Sequence, residues 1–179
     1  GSPNPKRQLE QLAESLFLAE GETVDACGWF LLIRQSVETA LDYARYQLKK
    51  AWQMADEGEF GGYHKLLTNE VAMVENFAAA LQKKYADWRL AYLAIDFARL
   101  PAYRGEEKET AERIKALRNE AKDTIKKLQE TIFAYSPEMQ ADLVRRMYPV
   151  AQGLARLTKL FLDAFAAAKR EKNMIDFHD

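Results

Sequence analysis

A single cysteine, Cys27, occurs in the 179 residues, so the sequence can form no internal disulfide and assemble no multi-thiolate metal site. A reducing compartment, the cytoplasm, is the expectation that follows. Histidine is almost as scarce, with only His64 and His178. Neither lies three residues after a glutamate, the spacing a carboxylate-bridged metal bundle requires, so both are expected to be structural surface side chains. No run approaches the ~18 consecutive apolar residues of a membrane span. The phosphate-cradling patterns G-x-x-x-x-G-K-[ST] and G-x-G-x-x-G are missing too, and no ATP hydrolysis is expected of this chain by itself. Cys27, beside Gly28 and ahead of Trp29 and Phe30, reads as a small core residue rather than a nucleophile, because no histidine is near it in sequence. No catalytic, cofactor-binding or metal-binding residue is assigned.

Glycine (8) and proline (5) are also few, and they punctuate helices. Asn4 is placed to cap a helix with Pro5 in its first turn, running through Leu9, Leu12, Leu16 and Phe17 to Gly21. Phe30, Ile33, Val37, Leu41, Ala44, Leu48, Ala51 and Ala55 recur at three-and-four spacing and predict a long amphipathic helix ending near Gly58. "GEFGGY" reads as a turn, Leu66 to Leu81 as a third helix, and Trp88 to Ile95 as a short one behind Asp87, broken by Pro101 to Gly105. Ile114, Leu117, Ala121, Ile125, Leu128 and Ile132 mark the next, which ends before "YSPE". There Ser136 is a predicted cap, and Pro149 is expected to kink or divide the helix that follows. No useful window alternates with period two. The expectation is an all-α fold, one helical domain over residues 1–179, built as an elongated bundle of long antiparallel helices and monomeric.

The positive signals are cationic and aromatic. The net charge of −1 conceals an asymmetry, since residues 104–172 hold 15 basic against 11 acidic residues. Lys115, Arg118, Lys122 and Lys126 fall at three-and-four spacing, a predicted stripe about 100° from the apolar face of their helix. Arg145 with Arg146, and Lys169 with Arg170, form shorter clusters. Such a set suits sequence-independent phosphate contact with duplex or forked DNA. The competing reading is a solvated face neutralised by Glu112, Glu120, Asp123 and Glu130. Trp29, Trp52, Trp88, Tyr43, Tyr46, Tyr85 and Tyr92 are candidates to stack on bases, although aromatics at helical periods are more often core.

The ending "FAAAKREKNMIDFHD" resembles superfamily-1A helicases of the UvrD/Rep/RecB type, in which a Lys-rich helix end precedes an apolar-Asp-Phe-x-Asp segment that rejoins the first motor domain. Lys169, Arg170, Lys172, Ile175, Asp176, Phe177 and Asp179 carry that match. "FARLP" (Phe97 to Pro101), "KALRNEAKDTIKKL" (Lys115 to Leu128), "YSPE", "GGYHKLL" (Gly61 to Leu67) and the opening "SPNP" are similar to the AddA (RexA) family of ATP-dependent helicase/nuclease A subunits. The resemblance implies the helical insertion called domain 1B, cut from a longer protein between its nucleotide-binding motifs and its Asp-Glu motif. It further implies a parent motor that uses ATP and Mg in double-strand break repair, with an AddB-type second subunit, and a fragment that touches DNA near the fork. A spacer or protein-docking bundle without DNA contact is the alternative. Convergence of the cations on one face would favour the first, and their dispersal among acids the second.

Overall fold

The computed structural model describes residues 4–178; Ser2, Pro3 and Asp179, which enter the resemblance, lie with Gly1 outside the described residues. Six α-helices and no strand occur among them: α1 Pro5–Glu14, α2 Trp29–Glu57, α3 Gly61–Ala80, α4 Tyr85–Leu93, α5 Lys108–Leu128 and α6 Pro137–His178. The all-α expectation is met. The helices gather into two compact units, one being Leu31–Pro137 and the other the segments on either side of it.

In the flanking unit, the Asn4 side chain accepts from the Lys6 N–H and caps α1 as the sequence predicts. The helix ends at Glu14 rather than Gly21. The chain then folds back in turns, and Gly21 adopts φ +82°, a left-handed conformation that costs glycine little. α1 and α6 are antiparallel, since Lys6 pairs with Asp163, Glu10 with Lys159, and Glu14 with the Tyr148 hydroxyl. Cys27 is buried, its thiol donates to the Ser15 carbonyl at 2.7 Å, and burial pushes its pKa up. It should therefore react with a thiol reagent only as the unit opens. Rapid stoichiometric labelling under native conditions would contradict this placement.

Pro149 does not divide α6, which continues from Pro137 to His178. Met174-Ile175-Asp176-Phe177 continues α6, with Met174, Ile175 and Phe177 exposed.

Leu31–Pro137 holds the larger core. α2 and α3 are antiparallel, joined by Arg45 to Glu75 at 2.8 Å and by Trp52 Nε1 to Thr68 at 2.8 Å. "GGY" is the first turn of α3 rather than loop, and α4 starts at Tyr85, with the Asp87 carboxylate accepting from the Lys84 N–H. Contacts between α3 and α5 advance in the same sense along both: Glu70 with Arg118, then Phe77 with Phe133. These two neighbours run parallel because α4 and the extended stretch 94–107 make the return journey between them.

α5 closes with a π-helical turn, Gln129–Phe133. That turn widens the helix by one residue, so Phe133 rather than Ile132 follows Leu128 into the core. Phe133 stacks on Tyr92 at 4.5 Å and on Tyr85 at 6.0 Å, and meets Phe77 edge-on at 5.6 Å. The Tyr85 hydroxyl donates to the carbonyls of Ile132 and Tyr135, at 3.0 and 2.9 Å, which ties the widened turn to α4.

Arg45 and Lys49 on α2 both reach Glu75 on α3, and the Lys49 and Arg45 contacts hold its carboxyl below the ordinary carboxylate value. A lowered folded-state pKa contributes stability that is full above the ordinary carboxylate range and is lost as pH falls through the lowered value. Glu75→Gln should flatten this part of the acid stability profile. An unchanged profile would mean the pair is screened by solvent.

Candidate functional site

The eight predicted DNA contacts do not share one environment. On α5, Lys115, Lys122 and Lys126 occupy one flank, but Arg118 is only 4% exposed and is withdrawn from it. Arg118 sits four residues after Ile114 and three before Ala121, both core positions, and so points inward. The four-cation stripe expected from spacing is thus broken at its second member. Its guanidinium meets the Glu70 carboxylate of α3 through Nε and Nη2, at 2.9 and 2.6 Å, and Glu70 is 1% exposed. The same Nη2 donates to the Ala98 carbonyl at 2.6 Å, and the guanidinium carbon lies 5.7 Å from the centre of the Phe97 ring. Burial pushes the Glu70 carboxyl upward while the hydrogen bonds and charge of Arg118 pull it back. The pair's role is structural: it fastens the "FARLP" stretch between α3 and α5.

Lys115 is bound to Glu112 at 2.6 Å, a contact that raises its pKa. Lys122 and Lys126 carry no salt bridge among the described residues. They line a cleft of about 430 Å³ with Ile95, Asp96, Phe97 and Gln129. In the flanking unit, Arg145 donates to the backbone carbonyls of Ala19 and Glu22, at 2.9 and 2.6 Å, and holds the turn after α1. Arg146 pairs with Asp142 at 3.0 Å on the surface of α6. Lys169 and Arg170 are exposed on the last turns of α6. Of the eight, each unit therefore contributes two solvent-accessible cations without a short ionic partner, and the rest are engaged.

The aromatic candidates divide in the same way. Trp88, Tyr85 and Tyr92 are core residues, Trp52 is held by Thr68 against the His64 ring at 5.0 Å, and only Tyr43 and Tyr46 stand well exposed. Tyr43 donates to Glu120 at 3.1 Å. His64, expected on the surface, is half-buried, with Nε2 3.1 Å from Asp56 Oδ1. No cluster of three or more metal-ligating side chains exists among the described residues. No helix among them is long and apolar enough to cross a membrane.

No family model matches the chain. Three proteins named as the A subunit of an ATP-dependent helicase/nuclease, from Bacillus cereus (strain G9842), Bacillus anthracis and Bacillus mycoides (strain KBAB4), are each 29% identical to it over 181 residues. The match covers 99% of this chain and 14% of each relative. The chain resembles a segment of the helicase/nuclease A subunit. The match extends over nearly the whole chain and is not confined to one motif. Along the matched length this chain holds no G-x-x-x-x-G-K-[ST] phosphate loop.

Proposed function

We propose that this chain is an accessory helical segment of a DNA-repair motor of the helicase/nuclease A-subunit type, and that its main work there is to dock and space other parts of that motor. End-to-end similarity to proteins about seven times as long carries the reading. ATP and Mg would be used elsewhere in such a protein, in the cytoplasm, beside an AddB-type second subunit. Nothing in the chain supplies the phosphate cradle. The cations favour docking over a continuous DNA track: Arg118 is buried, and Lys115, Arg145 and Arg146 have partners.

A second reading has its own support. Lys122 and Lys126 flank the Phe97 cleft without short ionic partners, which suits weak, non-specific contact with a duplex or forked DNA backbone. Two phosphate contacts predict a shallow salt dependence and dissociation constants no tighter than about 10⁻⁴ to 10⁻⁶ M. Fluorescence anisotropy with a forked duplex at low salt tests it directly. Lys122→Glu with Lys126→Glu should abolish whatever binding is seen, while Lys115→Glu should change it little. Binding unaffected by the double substitution would leave docking and spacing as the whole function. ATP hydrolysis or strand cleavage that stays with the purified chain through high-salt washing would overturn the accessory reading itself.

A further inference from the structure

α6 carries an apolar pattern that neither unit's core uses. Leu143, Met147, Val150, Leu154, Leu157 and Phe161 recur in alternating steps of four and three, the spacing of a heptad seam, and all six are exposed. Leu154, Leu157 and Phe161 are 59%, 64% and 68% exposed, and Leu160 and Phe165 widen the seam. The opposite side of the helix already has its partner, because Tyr148, Lys159 and Asp163 engage α1. Each stripe residue two positions beyond such a contact lies about 200° round the helix from it.

Charge narrows the occupant. Between Val150 and Ala168 only Arg156, Lys159 and Asp163 are charged, and Lys159 and Asp163 are paired with α1. From Val150 onward the seam is flanked by Gly153, Leu160 and Ala167 on one side and by Ala151, Thr158 and Phe165 on the other, where a self-pairing coiled coil places the acids and bases that fix its register; the one flanking cation, Arg146 beside Met147, is paired with Asp142. A second copy of the chain therefore lacks its specifying contacts, and a phosphate backbone finds no cation on the stripe. Eight large side chains offering roughly 100 Å² each come to about 800 Å², one partner's share of a stable interface.

We infer that this seam is the docking face for an apolar, uncharged helical surface supplied by the same polypeptide outside these 179 residues. The inference rests on the proposed reading that the chain is part of a longer protein, and on its spanning only 14% of the relatives it matches. Leu157→Cys, at a surface position that leaves the core intact, gives the test by maleimide labelling. Labelling should be fast in the 179-residue chain and roughly tenfold or more slower in the whole native polypeptide. Equal rates in the two overturn the inference and leave the longer-protein reading standing. Protection that vanishes on dilution, with dissociation of a dimer seen by sedimentation, assigns the seam to a second copy and also overturns it. A native polypeptide that is only these 179 residues removes both the inference and the reading beneath it.

Discussion

Glu70→Ala should destabilise the Leu31–Pro137 unit by about 3–5 kcal/mol, because it leaves the Arg118 guanidinium buried without its counter-charge. At this chain length each kcal/mol corresponds to roughly 2–4 °C in Tm, so the transition should fall by about 10 °C. The reasoning depends on both ends of the pair being sealed, and Arg118 and Glu70 are 4% and 1% exposed. Replacing both by methionine should cost much less than the single change, since the desolvation penalty disappears together with the attraction. Urea unfolding followed by tryptophan fluorescence separates the outcomes, Trp88 being buried in the same unit. A single substitution that costs under ~1 kcal/mol would mean that water reaches the pair. The consequence reaches "FARLP", whose Ala98 carbonyl accepts from Arg118, so Arg118→Met should loosen that stretch to proteolysis even where the helices persist.

Phe133→Ala should cost a similar amount, about 3–5 kcal/mol. The ring is nearly fully buried and touches Phe77, Tyr85 and Tyr92, which come from two other helices, α3 and α4. Truncation leaves a cavity lined by three rings that hydrogen bonds and backbone hold in place, so it cannot collapse fully. Ile132→Ala, one residue earlier and only half-buried, should cost clearly less. The contrast is diagnostic of the π-helical turn. In a regular helix Ile132, four residues after Leu128, would be the buried member, and the order of the two effects would reverse. Equilibrium unfolding of the two variants side by side gives the answer.

The same residues show how much of the fold the sequence disclosed. Apolar spacing is enough to place α2, α3 and the body of α5, and Asn4 and Ser136 mark helix starts correctly. The π-helical turn was invisible, because it displaces a periodic pattern by one residue without any glycine or proline to announce it. Arg118 leaves the expected stripe because its place in the apolar pattern, not its charge, decides where it points. Its spacing from Ile114 and Ala121 pointed inward, and a buried acid on another helix was the missing piece. Arg145 likewise turned out to be fixed by backbone carbonyls of a turn whose course the sequence did not reveal. The stripe on α6 is periodic in the sequence, but periodicity by itself implies burial. Exposure of that face emerges only once α1 is seen to take the other side.

If these residues belong, as proposed, to a larger ATP-driven DNA-processing protein, their genomic reading frame continues beyond both ends of the coding segment. Sequencing the genomic reading frame through both ends of the coding segment tests it most directly. One continuous frame is expected, with a G-x-x-x-x-G-K-[ST] phosphate loop upstream and an Asp-Glu motif downstream. A start codon immediately before Gly1 and a stop codon immediately after Asp179 would contradict it.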